Sequence, residues 1–235
     1  MNYSANWKDL VSRFGYGFVD DIEQYKNIVK ARAYADMQPR TIGGLGKFRE
    51  NSDNNDKLDS LFNELAEKLY SFVIQEPEKS EQDFDDWHKK QGEWFTSEFN
   101  RTTNGKSVDA IAFGKAQKII NVSFKYIYCL KDANYYAAKF EHCHMILDRY
   151  TYSGDYGIDA FYKNEVVPWH NKNHSSNKIY ESKLTRWSNL EYSEYYEIQK
   201  NIRDFLNSTK EYVDNQGKPL TPFQAEFHIF SRYNS

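Results

Sequence analysis

One stretch of this chain repeats its apolar residues with the period of an α-helix. In residues 58–73 they follow one another at intervals of three or four positions: Leu58, Leu61, Phe62, Leu65, Leu69, Phe72 and Val73. That spacing places them on one face of a helix. Few segments elsewhere alternate between apolar and polar residues with the period of two that a half-buried strand requires. The pattern therefore predicts a mainly α-helical protein without a large sheet.

Local signals delimit the other expected helices. Ser80 followed by Asp83, and Thr221 followed by Pro222 and Gln224, are patterns typical of helix N-termini. We predict helices over residues 4–14, 19–37, 59–74, 114–130 and 191–206, one that starts at Ser80 and a short one after Thr221. Residues 39–57 are predicted to form a loop and residues 150–189 to be irregular, because both are rich in turn-forming residues. The whole chain, 1–235, is expected to form a single helical domain of one or two lobes, with the active-site cleft between the lobes.

Charge is nearly balanced overall but uneven along the chain. The 31 Lys and Arg residues against 34 Asp and Glu residues give a net charge of −3, which is no overall signal for nucleic-acid binding. Residues 53–98 hold 13 acidic and 5 basic residues, a balance of −8, whereas residues 114–149 hold 6 basic and 3 acidic ones, a balance of +3. A polyanion could bind the basic segment in spite of the negative total.

Compartment and membrane association are predicted from what the sequence lacks. The two cysteines, Cys129 and Cys143, argue against a disulfide-rich secreted scaffold. No apolar run reaches the roughly 18 residues of a membrane helix, and no signal peptide is evident. We therefore expect a cytoplasmic monomer that does not associate with membranes.

The segment around Gly114 carries the strongest chemical signal. Gly114 opens a predicted helix whose first turns hold Lys115, Gln117 and Lys118. Helix N-termini attract anions, because their N–H groups are unpaired and the dipole is positive there. Two cations at that end are unfavourable unless an anion binds or a free amine is useful. Asp148 follows an apolar triplet thirty positions after Lys118, so an amine and a carboxylate could meet in one cleft.

Residues 113–152 resemble the helix-hairpin-helix DNA glycosylase superfamily, and are most similar to its archaeal 8-oxoguanine DNA glycosylase branch. The resemblance rests on residues 117–125 (QKIINVSFK) and on Ile146-Leu147-Asp148-Arg149. It implies that Lys118 and Asp148 are catalytic and that a second lysine of the motif is Lys125. With it come the expected DNA-binding residues Gly114, Lys115, Lys125 and Arg149, and the expected substrate-pocket residues Gln117, His144, Trp169 and Trp187.

The implied activity is excision of a modified base from double-stranded DNA. Such an enzyme extrudes the target nucleotide, because the glycosidic carbon cannot be reached inside the duplex. Lys118 would attack C1′ of the sugar as a free amine, which adds lyase activity, and Asp148 would stabilise the cationic sugar or accept a proton. No cofactor is expected. The divergence of the chain favours a specialised target, such as a modified base in foreign (phage) DNA, over housekeeping repair.

Other readings of the chain remain open. One is a non-enzymatic helical module that binds nucleic acid or protein. Another is a metal-dependent nuclease with His142, His144 and His170 as ligands, although the spacings of the histidines and cysteines match no strong metal site, and no metal is expected. His144 is otherwise predicted to be a buried imidazole that orients Asp148. The pair Asp85-Asp86 is predicted to lie on a solvated helix face.

Overall fold

The computed structural model describes residues 21–104, 107–128, 133–153 and 160–233. Within them nine α-helices follow one another, α1 to α9: Ile22–Ile28, Tyr34–Asp36, Leu45–Arg49, Ser52–Ile74, Glu81–Thr103, Phe113–Ile127, Val167–Asn173, Tyr192–Ser208 and Pro222–Tyr233. Short π-helical turns (Val29–Ala33, Arg149–Ser153, Tyr162–Val166) and 3₁₀ turns (Pro39–Thr41, Ala133–Phe140, Glu181–Lys183, Trp187–Asn189) complete the helical structure. The β pairing in the described residues is a single bridge between Val213 and Pro219. The prediction of a mainly helical fold is confirmed.

Capping side chains start the long helices where the sequence signals predict. The Ser80 hydroxyl accepts a hydrogen bond from the Asp83 N–H, and the Asp83 carboxylate accepts one from the Ser80 N–H, so α5 begins with a capping box. The Thr221 hydroxyl and the Gln224 side chain make the same reciprocal pair at the start of α9. These bonds satisfy N–H groups that the helix itself leaves unpaired.

Three regions differ from the prediction. Residues 39–57 are not one loop, because α3 lies within them and α4 begins at Ser52, where the Asn51 side chain accepts from the Asn54 N–H. The irregular region 150–189 contains α7, with Pro168 in its first turn, where a missing N–H costs nothing. The predicted helix over residues 4–14 lies outside the described residues.

The buried apolar residues form two clusters. The first apolar cluster packs α1, α4, α5 and most of α6 around Phe62, Leu65, Phe95 and Phe124. The second apolar cluster packs α7, α8 and part of α9 around Phe161, Ile202 and Leu206. Division into two lobes stays a prediction. Among the described residues, no helix is both long enough and apolar enough to cross a membrane.

Candidate active site

Helix α6 is the platform of the site. All residues from Phe113 to Phe124 are buried. Four of them nevertheless carry an ammonium or an amide group: Lys115, Gln117, Lys118 and Asn121. A helix buried on all sides is normally apolar all round, and buried polar groups need partners to offset the loss of water. The partners of these four side chains define the geometry of the site.

Lys118 and Asp148 meet, as the resemblance implies. The Lys118 Nζ lies 3.4 Å from the Asp148 Oδ2, and their side chains are 8% and 16% exposed. An ion pair so far out of water is screened less than a surface pair. The structure thus brings an amine and a carboxylate that are thirty positions apart in the chain within ion-pair distance, with most of both side chains buried.

The two oxygens of Asp148 have separate tasks. Its Oδ1 accepts hydrogen bonds from the backbone N–H groups of Tyr150 (2.9 Å) and Thr151 (3.2 Å), so it caps the helical turn Arg149–Ser153. Its Oδ2 faces Lys118. The cap fixes the carboxylate plane through the backbone that follows it, and this leaves the second oxygen aimed at the amine.

The indole of Trp187 covers both lysines of the α6 N-terminus. The Lys118 Nζ lies 4.7 Å and the Lys115 Nζ 4.9 Å from the ring centroid, which is cation–π distance. Trp187 can approach this closely because Gly114 has no side chain. A Cβ there would lie 1.9 Å from the Trp187 carbonyl oxygen, and the Gly114 N–H donates to the Leu190 carbonyl at 2.9 Å.

Gly114 and Lys115 are therefore used within the chain. The Gly114 N–H, which the resemblance assigns to phosphate binding, is occupied by Leu190. The Lys115 ammonium donates to the Met37 carbonyl (2.9 Å), the Gln38 carbonyl (3.1 Å) and the Thr41 hydroxyl (2.6 Å). Burial, reinforced by the charge of Lys118, lowers the pKa of Lys115 to about 8. Lys115 fastens the α2–α3 connection to α6, and its DNA-binding role stays a prediction.

The segment Met145–Leu147 is held by side chains in place of a neighbouring strand. The Gln199 amide accepts from the Met145 N–H (3.2 Å) and donates to the Met145 carbonyl (2.7 Å). The Gln117 amide does the same for Leu147, at 3.3 Å and 2.9 Å. Between them, the Glu226 carboxylate accepts from the Ile146 N–H at 3.0 Å. These bonds fix the backbone that leads into Asp148.

A buried polar network extends from this segment to α8. In order, it consists of Gln117, Asn121, Tyr195, His144, Asp85 and Arg203, with consecutive side chains 2.6–3.1 Å apart. The Arg203 guanidinium donates to both Asp85 oxygens. Burial opposes ionisation of Asp85, but Arg203 and His144 hold its pKa well below the usual range. We call these six residues the polar network.

The polar network corrects two predictions. Asp85 is not solvated, because it is 2% exposed and paired with Arg203, whereas Asp86 is exposed as predicted. His144 is buried as predicted, but it binds Asp85 and Tyr195 and does not orient Asp148. Burial lowers the pKa of His144 to about 4, although Asp85 opposes this. The imidazole is neutral, so its Nε2–H donates to Asp85 and its Nδ1 accepts from the Tyr195 hydroxyl.

A second ion pair, between Lys125 and Glu226, lies seven residues further along α6. Lys125 is bound by the Glu226 carboxylate of α9, which is 2% exposed. Burial raises the pKa of Glu226, and Lys125 offsets part of this rise.

Asp36, at the end of α2, accepts a hydrogen bond from the Tyr126 hydroxyl at 3.3 Å. Burial raises the pKa of Asp36, against the opposing charge of Lys118, so this carboxyl belongs to the electrostatic surroundings of the site.

A cavity of about 500 Å³ adjoins the lysines. Its wall includes Lys115 and Trp187 but neither Lys118 nor Asp148, and Trp187 is the residue that contacts both the cavity and Lys118. The rest of the wall comes from the Gln38–Ile42 turn, from Asp109–Ala112 and from the Arg186–Asn189 turn. The side chains of Asp109, Arg186 and Asn189 supply polar groups of both signs. The volume suffices for a nucleoside-sized ligand.

The remaining predicted residues lie elsewhere or at the margin. Trp169 packs on the ring of Phe205 (5.7 Å between centroids), in the second apolar cluster, and its place in the substrate pocket stays a prediction. Arg149 is exposed and lies over the ring of Tyr150, and its role in DNA binding stays a prediction. In the described parts of the chain, no three His, Cys, Asp or Glu side chains form a group that could hold a metal. Cys129 lies outside these parts.

Sequence reasoning missed most of the supporting residues. Asp36, Asp85, Tyr195, Gln199, Arg203 and Glu226 come from helices that are distant in the chain, and no local spacing links them to Lys118. One signal was available in α6, where Gln117 and Asn121 are four positions apart, which is the spacing of neighbours on a helix. Comparison of the chain with protein-family models, with curated proteins and with solved structures gives no match.

Proposed function

We propose that this protein is a DNA N-glycosylase, with possible lyase activity, that excises a modified base through Lys118 and Asp148. The observation that carries the proposal is the 3.4 Å approach of the Lys118 amine to the Asp148 carboxylate in a nearly dry site. A nucleophilic lysine must first lose a proton, and a carboxylate at this distance can accept it. The resemblance of residues 113–152 to the helix-hairpin-helix glycosylases supports the same assignment by analogy.

The proposed reaction uses only these two side chains and the substrate. The Lys118 ammonium passes a proton to Asp148, and the lone pair of the amine forms the C1′–N bond. The glycosidic bond breaks with its electron pair going to the base, which takes the proton from Asp148. The nitrogen now carries two protons. The sugar opens between C1′ and O4′, one of these protons moves to O4′, and the nitrogen keeps the other in the protonated C=N bond that joins C1′ to Lys118. In a monofunctional variant of the reaction, water attacks C1′ and Asp148 stabilises the cationic sugar.

The cavity beside Trp187 offers space for the extruded base. A base in it would lie against the indole, and such stacking contributes about 1–3 kcal/mol per base. Asp109 and Asn189, which also line the cavity, would supply hydrogen-bond groups. The target proposed is a modified base in double-stranded, foreign DNA, and the protein is proposed to act in the cytoplasm as a monomer.

Borohydride trapping on duplex DNA with an abasic or modified nucleotide tests the proposal. Borohydride delivers hydride to C1′ of the C=N bond and makes the link to Lys118 permanent. We expect a covalent adduct for the native chain, and none for Lys118→Gln. Asp148→Asn should lower the rate of base release by about 10²-fold or more, because a general acid–base group contributes 10²–10⁴. Lys57→Gln is the control, since Lys57 is an exposed lysine of the acidic segment.

Free-base release must be measured alongside trapping, since a monofunctional enzyme gives no adduct. An adduct that persists in Lys118→Gln would assign the amine to another lysine and contradict the proposal. DNA binding without base release or strand cleavage on any modified duplex would favour the non-enzymatic binding module. Strand cleavage that survives Lys118→Gln and stops on chelation would favour the nuclease.

A further inference from the structure

The amide of Gln117 is saturated with hydrogen bonds inside the protein. Its Nε2 donates to the carbonyls of Gly114 (3.0 Å) and Leu147 (2.9 Å), and its Oε1 accepts from the Leu147 N–H (3.3 Å) and from the Asn121 Nδ2 (3.1 Å). A side-chain amide has two donor hydrogens and two acceptor lone pairs, and all four are used. Gln117 is 0% exposed, so no bonding capacity or surface is left for a substrate.

Gln117 closes a short path through the reactive pair. It precedes Lys118 in α6, and Leu147, which it binds through both backbone groups, precedes Asp148. The only side chain in this path from one reactive residue to the other is therefore the Gln117 amide. A shift of the amide relative to Leu147 moves the Asp148 carboxylate relative to the Lys118 amine.

The polar network fixes which way the amide faces. Asn121 donates to the Gln117 Oε1, and Asn121 is itself held by the Tyr195 hydroxyl (3.0 Å) and by the His88 imidazole (2.9 Å). With the Asn121 nitrogen directed at Gln117, the Gln117 oxygen must lie on that side, and its nitrogen must face the two carbonyls. A reversed amide would place nitrogen against nitrogen and oxygen against oxygen.

From this geometry we infer that Gln117 is a positioning residue, which sets the separation of the Lys118 amine and the Asp148 carboxylate and does not contact the substrate. The inference rests on the proposed function for its catalytic consequence, though not for its structural one. It replaces the substrate-pocket role that the resemblance implies for Gln117. Misplacement of a reacting group by about 1 Å can cost about 10²-fold in rate, so an amide remote from the substrate has a measurable effect.

Gln117→Glu tests the inference, with Asn171→Asp as the matched control. Both changes turn a side-chain amide that binds both backbone groups of a distant residue into a carboxyl group, but Asn171 binds Ile179, outside the bonds that hold Asp148. In Gln117→Glu, an oxygen faces the carbonyls of Gly114 and Leu147. We expect single-turnover base release about 10²-fold slower with unchanged affinity for DNA, and a loss that deepens as pH rises and the introduced carboxyl ionises. Asn171→Asp should lower stability and leave the rate of the folded fraction near that of the native chain.

A crystal structure of each variant provides a readout that is independent of activity. We expect the Lys118 Nζ to Asp148 Oδ2 distance to exceed about 4 Å, the limit of an ion pair, in Gln117→Glu only. That result without base release from the native chain would retain the positioning role and discard the glycosylase. An equal rate loss in Asn171→Asp, a native rate in Gln117→Glu, or an unchanged distance would each overturn the inference.

Gln117→Asn covers the case in which the charged variant fails to fold. It keeps the amide but shortens its reach by one methylene, so it cannot satisfy both Leu147 groups from the same place. The same slower release with unchanged DNA affinity is expected, with no change in pH dependence because no ionisable group is introduced. A native rate and distance in this variant would overturn the inference as well.

Discussion

At the scale of single residues, Gly114 shows how one missing side chain shapes the site. Its Cα lies so near the Trp187–Ser188 backbone that a Cβ would sit 1.9 Å from the Trp187 carbonyl oxygen. That approach brings the indole over the amines of Lys115 and Lys118. The resemblance explains the glycine as part of a phosphate-binding turn, whereas in the structure its position is required by packing.

Gly114→Ala is expected to destabilise the protein and displace Trp187. Backbone atoms cannot move aside as easily as a flexible side chain, so we expect a loss of about 1–3 kcal/mol in the free energy of unfolding, the usual cost of overpacking. Gly46→Ala is the control, because a Cβ at this position in α3 meets nothing within 4 Å. It should be neutral or stabilise by roughly 0.5–1 kcal/mol. Urea denaturation measures both, and an equal response would contradict the packing explanation.

The approach of Lys118 to Asp148 was predictable from the sequence, but the residues that surround the two were not. Lys118 and Asp148 lie in segments with recognisable local patterns, and the resemblance rests on these patterns. The tasks of Gln117 and Lys115 depend on partners thirty and more than seventy positions away. Partners at such separations are set by packing, and no property of the neighbouring sequence reports them. The same applies to Asp85, which looks like an ordinary exposed acid beside Asp86.

At the scale of elements, long helices with a regular apolar stripe were predictable and short ones were not. The stripe of α4 buries Leu58, Leu65 and Leu69 as its spacing indicates. By contrast, α7 has seven residues and a polar C-terminal turn. Asn171 in this helix, one of the turn-forming residues of the region 150–189, binds both backbone groups of Ile179 through its side chain (2.7 and 2.8 Å). Helices so short are stabilised by such tertiary bonds, since their own propensity is insufficient.

The joint between α5 and α8 provides a test at this scale. The Asp85 carboxylate accepts hydrogen bonds from two nitrogens of the Arg203 guanidinium. Asp85 is 2% exposed and Arg203 is 8% exposed. Asp85→Asn removes the charge and leaves a buried cation paired only with the exposed Glu81, at 3.4 Å. Breaking a buried pair typically costs about 3–5 kcal/mol, and we expect a loss of that size.

Asp86→Asn is the matched control for this joint. Asp86 is the next residue of α5 but is exposed and bound only by the Gln82 side chain. Changes at exposed positions usually stay within about 0.5 kcal/mol. Urea denaturation at neutral pH compares the two variants, and similar losses for both would show that the Arg203 pair does not join the helices.

At the scale of the whole molecule, the polar network lies between the two apolar clusters. His144 packs edge-on against Phe84 of the first apolar cluster, with centroids 5.0 Å apart, and binds Tyr195 of the second. A buried polar network is costly in any arrangement that leaves some of its hydrogen bonds unmade. These bonds therefore favour one arrangement of the two apolar clusters more than they add to stability. The sequence shows the apolar stripes of both clusters, but it does not show how their helices meet.

This arrangement makes the stability of the molecule sensitive to acid. Burial lowers the pKa of His144 to about 4 in spite of Asp85, whereas in the unfolded chain it is near 6.5. Burial likewise holds the pKa of His88 well below its ordinary value. Between about pH 4 and pH 6.5, the folded and unfolded pKa values of His144, the unfolded chain binds more protons than the folded one. The free energy of unfolding should therefore fall as pH drops from about 6.5 towards about 4, and this effect should be absent above that window.

Urea midpoints across the window measure the effect. Each pKa unit corresponds to about 1.4 kcal/mol, so His144 alone accounts for a loss of a few kcal/mol by the lower end. His144→Gln should be less stable at neutral pH, because it loses the bonds to Asp85 and Tyr195, and should show a shallower acid slope. His142→Gln should keep the native slope, because His142 lies two positions before His144 but outside the polar network. A flat native profile between about pH 6.5 and 4 would mean that the imidazole between the two clusters can be protonated without separating them.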